Sequence, residues 1–208
     1  LSEKNGEKNL EEMRYKKVNK ERFEELFKSE PIPLQQKDEF LWLINKVEGI
    51  KPNVIVEIGI DKGGSFKFWK EVLSSDGIAI GIDITDVADR KIVGNNCIIL
   101  LGDSREQKTI EKLKLVLKDR KIDFLYVDGL HESSGVNKDY ENYSSFVRKG
   151  GIIAFHDCGE PTIFYHKVPE ATSRWNRGGD PSVKKLFESI KSEKELLQYD
   201  QGTGIVYV

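Results

Sequence analysis

The 208-residue sequence is short of several things, and each shortage excludes a class of protein. It holds two cysteines, Cys97 and Cys158, far apart and outside any C-x-x-C pair. A disulfide scaffold and a structural zinc site are both disfavoured, and two reduced thiols in a cytoplasmic protein are expected. No apolar run approaches the roughly 20 residues that a membrane span requires. No signal-peptide pattern opens the chain, because residues 1–30 carry eight basic and eight acidic side chains. The chain starts on Leu1 rather than Met, as a piece of a longer protein would. An excess of one charge is missing too: 33 Lys and Arg stand against 35 Asp and Glu, for a net −2. A dedicated binder of nucleic acid or anionic membrane normally shows a basic face, so neither partner is expected. Internal repeats and low-complexity segments are also absent.

What is present suits one α/β domain. Three Trp, seven Tyr and ten Phe can furnish a core. In the first 30 residues, Tyr15, Val18, Phe23, Leu26 and Phe27 fall loosely on one helical face. This reads as a surface helix, or alternatively as a docking arm for a partner or a second subunit of a homo-oligomer. Pro31 and Pro33 end it. A second helix is expected over about residues 35–47, with Phe40, Leu41, Leu43, Ile44 and Val47 as its apolar face. Residues 1–50 thus read as an N-terminal helical extension, and residues 51–208 as the α/β domain.

After Asn53, short apolar runs at 54–56, 78–82, 98–101, 124–127 and 152–155 alternate with amphipathic stretches at about 64–73, 107–117 and 135–147. Ser133 or Ser134 is a candidate cap for the last of these. Wholly apolar runs suit strands buried on both faces of a parallel sheet, with helices on each side. The C-terminus changes rhythm: residues 196–199 and 205–208 read as two strands joined by a tight turn at Gly202-Thr203-Gly204.

In open α/β sheets, ligands bind beyond the carboxyl ends of the strands. An acidic group follows each of the five runs: Glu57, Asp83, Asp103, Asp128 and Asp157. Gly59, Gly63 and Gly64 let the first loop come close to a ligand and open a helix. Their G-x3-G-G spacing is not the G-x-G-x-x-G of a dinucleotide loop, and no GK[ST] marks a P-loop. Glu57 would sit poorly beside a pyrophosphate, so a ligand with a cationic part and an amino-acid tail fits better. Asp83, about 20 residues beyond the glycine loop, suits ribose hydroxyls, whether of NAD or of any other adenosine ligand. Asp103 is either an adenine partner or a helix cap.

With these residues in view, the chain from about Asn53 to Val208 resembles a class I methyltransferase using S-adenosylmethionine. The E-x-G-x-x-x-G-G loop, Asp83, the Gly102-Asp103-Ser104 turn and the closing hairpin stand in that fold's order. Val127-Asp128-Gly129-Leu130-His131, followed by Gly150-Gly151-Ile152-Ile153-Ala154-Phe155-His156-Asp157, resembles a narrower family. It comprises cephalosporin-hydroxylase-like proteins and macrolide-sugar O-methyltransferases. The resemblance implies a Rossmann-like α/β fold with a seven-stranded sheet, order 3-2-1-4-5-7-6, strand 7 antiparallel. It also implies that Glu57, Gly59, Asp83 and Asp103 hold the methionine, ribose and adenine parts. Gly63, Ser65, Ser104 and Asp128 are expected beside them.

Asp128 and Asp157 end runs that, if neighbours, lie about 4.8 Å apart. Two such carboxylates, with His131 and His156 beside them, repel unless a cation or proton sits between. Carboxylates and water suit Mg2+, whereas a histidine ligand suits Mn2+, Fe2+ or Zn2+ better. The resemblance implies Mg2+ on Asp128 and an acidic pair after the fifth strand; here that pair is His156 and Asp157, which leaves the metal open. The alternative is that Asp128 binds the cofactor and Asp157 caps a loop. The resemblance also makes His131, in a D-x-x-H arrangement, the general base for a hydroxyl acceptor.

Residues 161–181, with Tyr165, His166, Arg174, Trp175, Arg177, Gly178 and Gly179, read as a loop suited to gripping a sugar or acidic substrate, or as plain surface loop. The fourth-strand loop lacks the (D/N)PPY pattern of amino-directed nucleic-acid methyltransferases and the Pro-Cys of cytosine-C5 enzymes. The expected activity is therefore O-methylation of a saccharide or other small molecule. An NAD-dependent oxidoreductase and a non-catalytic S-adenosylmethionine-binding subunit remain as alternatives.

Overall fold

A computed structural model describes residues 17–86, 88, 94, 96–160, 179–198 and 201–208. Helix α1 (Lys20–Lys28) starts at Asn19, whose side chain accepts from the Arg22 N–H at 2.8 Å. Helix α2 (Lys37–Gly49) follows the Pro31–Pro33 break. Then come β1 (Val54–Ile58), α3 (Phe66–Val72), β2 (Ile78–Asp83), β3 (Cys97–Leu101), α4 (Gln107–Leu117), β4 (Ile122–Val127) and α5 (Ser133–Tyr143). The chain closes with β5 (Val147–Phe155), α6 (Pro181–Ser189), β6 (Lys194–Leu197) and β7 (Thr203–Tyr207). None of the described helices is long and apolar enough to cross a membrane.

The strands form one seven-stranded sheet in the order β3-β2-β1-β4-β5-β7-β6. β1 to β5 pair in parallel, and β7 runs antiparallel to both β5 and β6. Every residue of β1 and β4 is buried, as strands covered on both faces must be. Alternation divides their side chains between two cores. Ile55, Phe124 and Tyr126 face α1, α2 and α3, where Phe23, Phe40 and Trp69 meet them. Trp69 lies 5.1 Å from Phe124 and 5.8 Å from Phe40, centroid to centroid. Each such aromatic pair adds about 0.5–1.5 kcal/mol beyond its area burial. Val56, Leu125 and Val127 face the other way, onto Leu113, Val136 and Phe187 of α4, α5 and α6.

Residues 18–47 therefore share a core with the sheet. Phe23 of α1 and Leu43 and Ile44 of α2 are fully buried in it. Residues 1–16, including Tyr15, lie outside the described residues.

Several local expectations are corrected. Neither Ser133 nor Ser134 caps α5: Glu132 holds the cap position and makes no side-chain cap bond. That helix stops at Tyr143 and passes through a short 3-10 turn, so Val147 belongs to β5. The hairpin pairs Leu197 with Thr203 and Leu196 with Gly204, which draws the expected turn residues Thr203 and Gly204 into β7. Glu39 of α2 explains the shift, because its carboxylate accepts from the Gly202 N–H at 3.0 Å and the Thr203 hydroxyl at 3.4 Å. Helix α6 was not expected. Its signal was Asp180-Pro181: the Asp180 side chain accepts from the Ser182 N–H at 2.7 Å, and proline occupies the first turn.

Candidate active site

The site is built at the carboxyl ends of the parallel strands, and it begins with a backbone contact. Gly59 has φ +84°, and a Cβ there would lie 2.1 Å from the Asp128 carbonyl oxygen. Only glycine lets the ends of β1 and β4 approach this closely. The Asp128 N–H in turn donates to the Ile58 carbonyl at 2.9 Å. Gly63, at φ +89°, closes the next turn with its N–H on the Ile60 carbonyl at 2.7 Å. Asp83 pins this loop from β2: one oxygen accepts from the Ile60 and Asp61 N–H groups at 3.0 and 2.9 Å.

Glu57 and Ser65 lie beneath the loop rather than on its open side. The Glu57 carboxylate, fully buried, accepts from the Ser65 hydroxyl and the Trp69 indole N–H, each at 2.5 Å. Burial pushes its carboxyl up to about 8, against the pull of those two bonds. Both residues thus already have partners in the chain.

The turn after β3 is likewise internally satisfied. Asp103 pairs with Arg105 at 2.6 Å, and that guanidinium holds its carboxyl below the usual range. The Ser104 hydroxyl donates to Asp139 of α5 at 2.5 Å, and its carbonyl accepts from the Tyr143 hydroxyl at 2.8 Å. Asp139 is buried, and burial pushes its carboxyl up to about 6. Sequence reasoning missed it. Its signal was an acid between Val136 and Tyr143 on the buried face of α5.

Asp128, His131, His156 and Asp157 do come together. His131 Nδ1 lies 2.9 Å from Asp157, and its Nε2 lies 3.5 Å from Asp128. His156 Nδ1 lies 3.0 Å from Asp128 and 3.3 Å from Asp157. One donor atom from each of the four residues fits within a 4.8 Å cluster. His156 is 4% exposed, whereas the His131 side chain is 35% exposed at the mouth. Burial alone would push both carboxylates up, but the imidazoles outweigh it and hold both below their ordinary range. Burial would likewise lower His131, but the carboxylates of Asp128 and Asp157 beside it push it up to about 10. His131 can accept a proton only once another cation takes up that carboxylate charge. The donor set of two carboxylates and two imidazoles fits a divalent ion, with nitrogen donors suiting Mn2+, Fe2+ or Zn2+ and the oxygens suiting Mg2+ as well.

Two polar residues from outside the α/β segment also reach this point, and sequence reasoning missed both. Gln35 Nε2 donates to Asp128 Oδ2 at 2.6 Å. Glu39, held by Gly202 and Thr203, lies close enough to interact with the charges of His156 and Asp157, and burial pushes its carboxyl up. Their signal was a polar pair four residues apart at the start of an apolar helical face. Pro161, Tyr165, His166, Arg174, Trp175, Arg177 and Gly178 lie outside the described residues. On either side of these residues, the Gly179 N–H donates to the Glu160 carbonyl at 3.2 Å, and the Asp180 N–H to that of Asp157 at 2.7 Å.

Sheet order, glycine loop and acidic strand ends define a Rossmann-like domain of the class I methyltransferase type. Residues 56–158 match the family model described as "Methyltransferase domain". An uncharacterized protein of Acanthamoeba polyphaga mimivirus is 27% identical over 150 residues, covering 67% of this chain and 61% of that protein. Among solved structures, a putative caffeoyl-CoA O-methyltransferase from Staphylococcus aureus matches with TM-score 0.65 and 17% identity, over 100% of both chains. An O-methyltransferase from Bacillus cereus, in complex with SAH, matches with TM-score 0.61 and 17% identity, over 84% of this chain and 82% of that one. MycE methyltransferase from the mycinamycin biosynthetic pathway, in complex with Mg, SAH and mycinamycin VI, matches with TM-score 0.55 and 18% identity. That likeness covers 80% of this chain and 48% of MycE, so the chain spans about half the length of that protein. At these identities the solved structures bear on the fold.

Proposed function

We propose that this protein is an S-adenosylmethionine-dependent O-methyltransferase acting on a hydroxyl of a saccharide or other small molecule, assisted by a divalent ion. The observation that carries the reading is the Gly59–Asp128 contact, which sets the glycine loop directly beside the Asp128, His131, His156 and Asp157 cluster. The adenosine end is assigned to Asp83 and to Asp103, which must exchange Arg105 for adenine. A divalent ion, when bound by Asp128, His156 and Asp157, would orient the acceptor hydroxyl and lower its pKa. His131, at the mouth of the cluster, is the residue that takes the hydroxyl proton. The acceptor oxygen then forms its bond to the methyl carbon as the sulfur–methyl bond breaks and its electron pair stays on sulfur. Apart from proton transfer, the chain's work is in-line positioning.

The saccharide preference is supported by the D-x-x-H arrangement of Asp128 and His131 and by MycE's complex with mycinamycin VI. Calorimetric titration of the folded protein with S-adenosylmethionine and S-adenosylhomocysteine tests the cofactor, and no heat with either overturns the reading. Transfer of a labelled methyl group to a panel of hydroxylated acceptors tests the chemistry. Full activity in excess chelator removes the ion and leaves methyl transfer standing.

A further inference from the structure

The segment between α1 and α2, residues 29–36, lies outside the matched family segment, yet it crosses the glycine loop. It is tied down there. Lys67 of α3, 7% exposed, donates from Nζ to the Ser29 carbonyl at 2.6 Å, the Ser29 hydroxyl at 3.1 Å and the Pro31 carbonyl at 2.7 Å. Gly64 makes room for it, since a Cβ there would lie 2.4 Å from the Ile32 carbonyl oxygen. From this strap the Gln35 side chain, 7% exposed, reaches the end of β4.

The orientation of the Gln35 amide follows from its partner. A carboxylate only accepts, so the nitrogen must face Asp128 and the oxygen must point away from it. Gln35 Oε1 is buried and meets no donor among the described residues. A buried acceptor without a donor is costly, so this oxygen is placed to receive an N–H or O–H from a bound molecule. The Asp128 carboxylate, held by the nitrogen of the same amide, favours a positively charged donor over an anion.

We propose that Gln35 Oε1 receives the α-ammonium of the cofactor's amino-acid end, making the N-terminal strap part of the cofactor site. The proposal rests on the S-adenosylmethionine reading above. Within that ligand, the end lying over the Gly59–Gly64 loop and beside Asp128 offers one strong cationic donor, the ammonium.

The test is calorimetry with S-adenosylhomocysteine and with its analogue lacking the α-amino group, on the unmodified protein and on Gln35→Leu and Gln35→Met. Thermal unfolding identifies any variant that fails to fold, and two substitutions of different shape keep the comparison available. The expected result is an affinity for S-adenosylhomocysteine about 10- to 100-fold lower in the variants, the range for losing a hydrogen bond to a charged group. The desamino analogue should bind the variants and the unmodified protein alike. Equal weakening of both ligands overturns the proposal, because Gln35 would then act only through Asp128 or the strap. Unchanged affinity for S-adenosylhomocysteine overturns it as well. If the unmodified protein binds neither ligand, the S-adenosylmethionine reading itself fails and this proposal falls with it.

Discussion

Asp139→Asn is expected to stabilise the protein at neutral pH and to leave it unchanged near pH 4. Asp139 is 1% exposed and accepts from the Ser104 hydroxyl at 2.5 Å. Burial pushes its carboxyl from 3.8 up to about 6. A carboxyl raised on folding binds its proton more tightly in the folded state. Its contribution is therefore fully present below pH ~4 and is lost as pH rises through ~6. The shift of about 2 units, at 1.36 kcal/mol per unit, corresponds to a loss of about 3 kcal/mol between pH 4 and pH 8. Asparagine keeps the shape and the acceptor for Ser104 and removes the charge. Urea unfolding midpoints across pH 4–8 should coincide at the acid end, diverge between pH ~4 and ~6 and stay apart above that, with the variant the more stable. For a domain of this size, about 3 kcal/mol corresponds to roughly 6–12 °C in Tm. The comparison isolates one group, because every other titrating residue is common to both proteins. Parallel profiles, or a variant less stable at pH 8, would refute the reasoning, since either would mean that the buried carboxylate is already compensated.

Further outcomes follow from the same geometry. Gly59→Ala should cost at least about 3 kcal/mol, from positive φ and the collision with the Asp128 carbonyl together; an unchanged urea midpoint would contradict the close approach of β1 and β4. Glu57→Gln should match the unmodified protein most closely near pH 4.5 and become progressively the more stable between pH ~4.5 and ~8, because burial raises the Glu57 carboxyl from 4.5 to about 8 and its contribution is lost over that interval; an equally steep decline over that interval in the variant would exclude Glu57 as its source. His131→Ala should lower turnover by about 10²–10⁴-fold while S-adenosylhomocysteine affinity holds; near-normal turnover would remove His131 as the base, and a parallel loss of affinity would make it a shaping residue instead.

Local chemistry determined a large part of this protein. Runs such as Val54-Ile55-Val56 and Phe124-Leu125-Tyr126-Val127 have no polar face to offer water, and their shortness and β-branched or aromatic side chains suit strands covered on both sides. Parallel strands direct their carboxyl ends to one edge, so the gathering of Asp83, Asp128, His131, His156 and Asp157 there is legible in the sequence. Periodicity, however, registers neighbours along the chain. It could not show that Gln35 meets Asp128, 93 residues away, or that Glu39 holds Gly202, 163 residues away, and so resets the register of the hairpin. Nor could it show that Glu57 and Ser65 face each other under the loop, or that Ser104 turns to Asp139. Each of these side chains is polar, and composition alone leaves a polar group free to face ligand, solvent or protein. The choice is made by burial, because a desolvated carboxylate or amide must take whichever partner the packed helices bring within reach.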